Sequence, residues 1–158
     1  MIRLSSQYRV PVIVFTRVRT GSIAAHHRAR YSADHHMPLL LYVLPARWFG
    51  DDRGSPAFAL VREWLDTVDA GGYATAYTAF ATGDATYADI WPQAAQPALF
   101  LTGALDANST PAMARQMAAA APHGSAVVIE GHGHMAPMTA PAAVNDALRT
   151  WLAAEVQR

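Results

Sequence analysis

The clearest regularity in the chain lies between Gln96 and Leu152, where two short apolar runs alternate with amphipathic stretches. Ala98 to Thr102 (ALFLT) is continuously apolar, too short for a helix and followed at once by Gly103, which predicts a strand buried on both faces. Ser125 to Glu130 (SAVVIE) predicts a second buried strand. Between them, Thr110 or Ser109 can cap a helix that Pro111 starts. Met113, Met117 and Ala120 share one face of it until Pro122, His123 and Gly124 end it. Such a strand, helix, strand unit is normally parallel with a right-handed crossover, so both strands end at one sheet edge. Thr139 or Ala140 with Pro141 starts a last helix, and its stripe of Val144, Leu148, Trp151 and Leu152 should pack back on the sheet.

Upstream, Ser55 is a good N-cap, Pro56 suits the first helical position, and Phe58, Val61, Leu65 and Val68 recur at spacings of three and four. Gly71 and Gly72 break this helix, and a second is expected from Tyr73 to about Ala81 with Tyr73, Ala76, Tyr77 and Phe80 along one side. These aromatics read as packing. Gly83, Asp84, Pro92 and Pro97 punctuate a loop-rich passage with at most one helical turn around Tyr87 to Ile90. Near the start, Arg9 to Thr16 (RVPVIVFT) predicts a strand, while Leu39 to Leu44 suits a strand or a buried helical piece. The link between them has no clean period.

Composition changes this picture at residue 46. Residues 1–46 carry six arginines, four histidines and one acid, a net charge of +5, whereas residues 47–158 carry six arginines against eleven acids. The division expected is therefore an atypical segment over 1–46, a helical segment over 47–95 and a core unit over 96–158. The 158-residue length and 52% hydrophobic content suit one globular domain, and every basic residue is arginine, as in a GC-rich bacterial coding sequence. Zero formal charge gives no field that favours nucleic acid. The absence of cysteine excludes disulfides and thiolate chemistry and fits a cytoplasmic protein. The longest apolar runs fall short of the roughly 20 residues of a membrane helix, and no signal peptide is read at the start. His26, His27, His35 and His36 with Asp34 raise the question of a metal, but adjacent histidines point apart, so each pair offers one ligand and a solvated linker is the better reading. No metal and no cofactor are expected.

Chemistry enters at the two strand ends. Asp106 lies three residues past Gly103 and His134 four past Glu130, which places both at the carboxyl edge of the sheet, where catalytic groups of open α/β sheets collect. Neighbouring strands about 4.8 Å apart put the two loops within side-chain reach. A carboxylate that accepts the Nδ1 proton of histidine fixes its tautomer and stabilises the imidazolium formed when Nε2 takes a proton, two thirds of a serine hydrolase triad. Singly, Asp106 reads as a turn residue and His134 as the end of a Gly-rich turn; jointly they read as a proton relay. His132 and His123 read as bystanders, and Glu130 as structural.

LTGALDANSTPAMARQMA and VVIEGHGHMAPMTAPAAVNDALRTWL resemble the acid-loop segment and the terminal strand, histidine loop and last helix of the α/β-hydrolase superfamily, in its esterase, lactonase and carbon–carbon hydrolase branch. The resemblance covers Pro97 to Leu152 and implies a partial α/β-hydrolase fold with Asp106 as triad acid and His134 as general base. RWFGDD and the residues to about Ile90 look like the family's helical cap. The family's nucleophile sits in a G-x-S-x-G turn, and none occurs in this sequence. Ser22 follows a glycine but lacks both flanking elbow glycines, and Ser5, Ser6, Ser32 and Ser55 have less context. The resemblance implies a hydrolase of a small-molecule ester, lactone or similar acyl substrate, present here as a piece without its nucleophile elbow, its first 46 residues truncated or out of frame. The alternative is a non-catalytic binding or subunit-contact domain. An exposed sheet edge would favour a homo-oligomer.

Overall fold

The structure, a computed structural model, describes residues 12–15, 44–83 and 88–156. Three parallel strands form its sheet in the order β1 (Val12–Phe15), β2 (Ala98–Gly103) and β3 (Gly124–Ile129). Val12 pairs with Ala98 and Ala98 with Gly124, so all three strands run in step toward the same edge. β1 falls within the apolar run expected as a strand, and the expected parallel unit of β2 and β3 is present.

The central strand anchors the fold. Every residue of β2 is buried, with Leu99 and Phe100 fully inaccessible. Removing side chains of this size from water stabilises the fold by about 1.5–3 kcal/mol each. Alternation along the strand divides the core into two layers. Ala98 and Phe100 face Ala114, Met117 and Ala121, which belong to or follow helix Pro111–Ala120. Leu101 faces the opposite way, with Ile129, against Ala136 and Val144 of the C-terminal helices. These are a single turn, Ala136–Thr139, and the long helix Pro141–Val156. Helices thus cover both faces of the sheet, as parallel strands require.

Local start signals operate as expected at two helices. Ser55 Oγ accepts the Phe58 N–H at 3.2 Å ahead of α1 (Pro56–Thr67), and Thr110, not Ser109, accepts the Met113 N–H ahead of Pro111–Ala120. The next helix, α2, differs from expectation, because it spans Ala70–Gly83 and includes Gly71 and Gly72 in its first turn. The break comes earlier, at Val68 and Asp69, where the Asp69 carboxylate accepts the Gly72 N–H and offers α2 a better start than the glycines offer α1 an end. In α2 the buried small residue is Ala74, and Ala76 is exposed. The loop-rich passage holds a 3₁₀ helix at Ala88–Gln93, whose Trp91 packs edge-on against Phe100. Leu44 lies in a helical segment over 44–49.

Other departures are matters of degree. β3 is only half-buried, with Ala126 exposed, whereas the sequence predicts full burial; it has a described neighbour on one side alone. Val68, Leu152 and Ala120 are exposed; Val68 is the C-cap of α1 and Ala120 the last residue of its helix.

At the carboxyl edge the two loops are laced together. Ala104 N–H donates to Ile129 C=O and Leu105 N–H to His132 C=O, each at 2.9 Å. This contact depends on Gly103, where a Cβ would lie 2.2 Å from the His132 carbonyl oxygen and 2.4 Å from that of Gly133. Both obstacles are backbone, so they yield only if the loop moves. Gly103→Ala should therefore destabilise by about 3 kcal/mol, lowering Tm by roughly 5–10 °C. Gly54→Ala, with nothing near its Cβ position, should change stability by less than about 0.5 kcal/mol. Thermal melts compare the two, and equal losses would contradict the close approach.

Candidate active site

Asp106 and His134, 28 positions apart, meet at the carboxyl edge of the sheet. His134 Nδ1 lies 2.8 Å from Asp106 Oδ2. The acid side chain is 4% exposed and the histidine side chain 34%. A carboxylate this deep needs partners for its lone pairs, and the loop supplies them. Oδ1 accepts the backbone N–H of Asn108 at 2.7 Å and of Ser109 at 2.8 Å, and the Thr102 hydroxyl oxygen lies 3.4 Å from Oδ2. The same hydroxyl reaches the Ser109 carbonyl. The sequence DANS thus folds as a turn around its own aspartate, the behaviour that makes Asp a turn former.

Burial alone pushes the Asp106 carboxyl upward, but the hydrogen bond from His134, the Ser109 amide, the charge of His134 and the Asn108 amide together outweigh it. The group is held below the ordinary carboxylate range and is ionised at neutral pH. Asp106 therefore acts on Nδ1 as an acceptor, which places the ring proton there and leaves Nε2 to accept a proton.

The histidine loop is shaped for this meeting. Gly131 adopts φ of +74°, which reverses the chain after β3. His132 turns away and pairs through Nδ1 with Thr139 Oγ1 at 3.0 Å, which anchors the loop to the single-turn helix. Gly133 lies under the Trp48 carbonyl, 2.8 Å from where its Cβ would be. The Trp48 ring stands 6.0 Å from the His134 ring, tilted by 34°. Met135 and Met138 join the apolar cluster of Phe49, Val61 and Leu65, so the segment over 44–67 closes over the histidine loop.

Beside the pair is a cavity of about 50 Å³ bounded by Thr102, Ser109 and Pro137, large enough for water. A larger one, of about 330 Å³, lies between the 44–52 segment and the loops, lined by Trp48, Phe49, Leu105 and His132 among others. Its volume falls within the range of small-molecule sites.

The other candidates do not join this site. Glu130 and His123 are exposed, and Ser55 caps α1. Ser5, Ser6, Ser22, Ser32, Asp34 and the histidines at 26, 27, 35 and 36 lie outside the described residues. Among the described residues no group of three or more histidines and acids could hold a metal, and no helix is long and apolar enough to cross a membrane. Arg47 and Trp48 are the neighbours that sequence reasoning missed. Nothing within their own stretch points to loops about 60 and 85 positions away.

The alpha/beta hydrolase family model matches residues 5–147. The chain belongs to this family. The match takes in most of residues 1–46 as well as the helical segment and the core. Over 140 residues, 88% of the chain, the family member is 43% identical to (E)-2-((N-methylformamido)methylene)succinate hydrolase of Acinetobacter baylyi and covers 52% of it. Among solved structures it resembles a thermophilic esterase from Thermogutta terrifontis, at 28% identity and a TM-score of 0.77, across 90% of this chain and 55% of that one. The enol-lactonase from Burkholderia xenovorans shares the fold at 24% identity and a TM-score of 0.76, across 90% and 56%. The chain thus spans about half the length of these relatives, and its parallel sheet with flanking helices is part of the α/β-hydrolase fold.

The lowered carboxyl of Asp106 has a consequence for stability. Its pKa in the folded chain lies below the value it takes unfolded, so its contribution is fully present above the unfolded value and is lost as pH falls through that value toward the folded one. Asp106→Asn should cost about 2 kcal/mol near neutral pH. Its Tm gap from the unsubstituted protein should close in acid, and a gap unchanged from about pH 7 to about pH 3 would contradict the assignment.

Proposed function

We propose that the chain carries the acid and base of a serine-type hydrolase acting on an ester, lactone or similar small acyl compound, with the nucleophile on a segment that this sequence does not contain. The observation that carries the reading is the bond between His134 Nδ1 and the buried Asp106 carboxylate. In the reaction a serine Oγ attacks the acyl carbon as Nε2 of His134 takes its proton. The imidazolium then gives that proton to the leaving group as the carbon–heteroatom bond breaks, and Asp106 stabilises the charge on the ring in between. Water repeats the sequence on the acyl-enzyme and frees the serine. The relatives named as hydrolase and esterase support acyl chemistry.

The sequence contains no G-x-S-x-G turn. The 158-residue chain should not be labelled stoichiometrically by a fluorophosphonate probe. A chimaera of the Acinetobacter hydrolase that takes residues 96–156 from this chain should retain hydrolysis of that enzyme's substrate. His134→Ala in the chimaera should reduce kcat at least about a thousandfold, since triad histidines contribute that much or more. A folded chimaera that is inactive, or one indifferent to His134→Ala, would favour a non-catalytic binding domain.

A further inference from the structure

The helical segment over 44–49 touches both loops of the relay through consecutive residues. Arg47 reaches the acid loop, where its Nε donates to the Asn108 side-chain oxygen and its terminal nitrogen to the Ala107 carbonyl at 3.3 Å. Trp48 reaches the histidine loop, its carbonyl against Gly133 and its ring 6.0 Å from that of His134. Adjacent helical residues diverge by about 100°, which lets one short segment grip two loops.

The acid-side contacts form a continuous chain. Arg47 holds the Asn108 side chain, the Asn108 amide holds Asp106 Oδ1, and Asp106 Oδ2 holds His134. We infer that Arg47 is a positioning residue, which with Trp48 clips the acid and histidine loops in the register that the bond between Asp106 and His134 requires. It acts through Asn108 and touches no reacting atom. A guanidinium suits this task because its planar fork serves two acceptors at once, which an ammonium on a flexible stem does not do in one fixed geometry. The placement also explains why Arg47, though exposed, makes two bonds to residues 60 and 61 positions away.

The inference rests on the relay reading, and proton NMR of the full chain separates the two. The Nδ1 proton of His134 should appear as a downfield resonance, assigned by its loss in His134→Ala. In Arg47→Met this proton should exchange with water about fivefold faster, the ratio that follows from losing one hydrogen bond of ordinary net strength. Asn108→Ala, which removes the side-chain acceptor and leaves the 44–49 segment intact, should reproduce most of that acceleration. Arg47→Met should then add less than half its single effect in the Asn108→Ala background. Arg47→Lys should stay close to Arg47→Met, because the fork rather than the charge holds the loop. A missing resonance in the unsubstituted chain would overturn the relay and the clip together. A resonance whose exchange is unchanged in folded Arg47→Met and Asn108→Ala would overturn the clip alone.

Discussion

A carboxylate whose side chain is 4% exposed cannot stay ionised without compensation, and the geometry of the whole carboxyl edge follows from that constraint. Two backbone amides and an imidazole donate to Asp106. Two of these donors are produced by the turn that the aspartate itself nucleates. The third comes from another loop, and it requires that β2 and β3 end side by side. The pair is thus a local device that works only with the correct tertiary register.

Packing supplies that register. β2 is sealed on both faces by helices from opposite sides, and its last residue is a glycine on which the carbonyls of His132 and Gly133 rest. The segment over 44–67 closes the arrangement over the histidine loop. Its aromatic cluster holds Met135 and Met138, and Arg47 and Trp48 touch one loop each. What this segment adds is placement, since a hydrogen bond between side chains of two loops tolerates little displacement of its groups.

Much of this was legible in the sequence, for identifiable reasons. The ALFLT run, the Thr110 and Pro111 start and the SAVVIE run are each strong local signals, and parallel pairing then brings Asp106 and His134 to one edge. The expected cap helix at Pro56 followed equally from Ser55. Gly71 and Gly72 misled because glycine is a helix breaker on average, while the Asp69 cap two positions earlier decided the actual boundary. β3 is less buried than its apolar run suggests, and among the described residues it has a strand neighbour on one side alone. Arg47 and Trp48 were invisible as site neighbours because their contacts depend on tertiary folding.

The most direct test of this account is the tautomer of His134 in the neutral ring, read from its imidazole ¹⁵N shifts and their couplings to the ring carbon-bound protons. A buried, ionised Asp106 acting as acceptor requires the proton on Nδ1, with Nε2 bearing the lone pair that would take a proton from a nucleophile. That tautomer is expected in the neutral ring and should be lost in Asp106→Asn. A neutral His134 with its proton on Nε2, unaffected by Asp106→Asn, would contradict the relay.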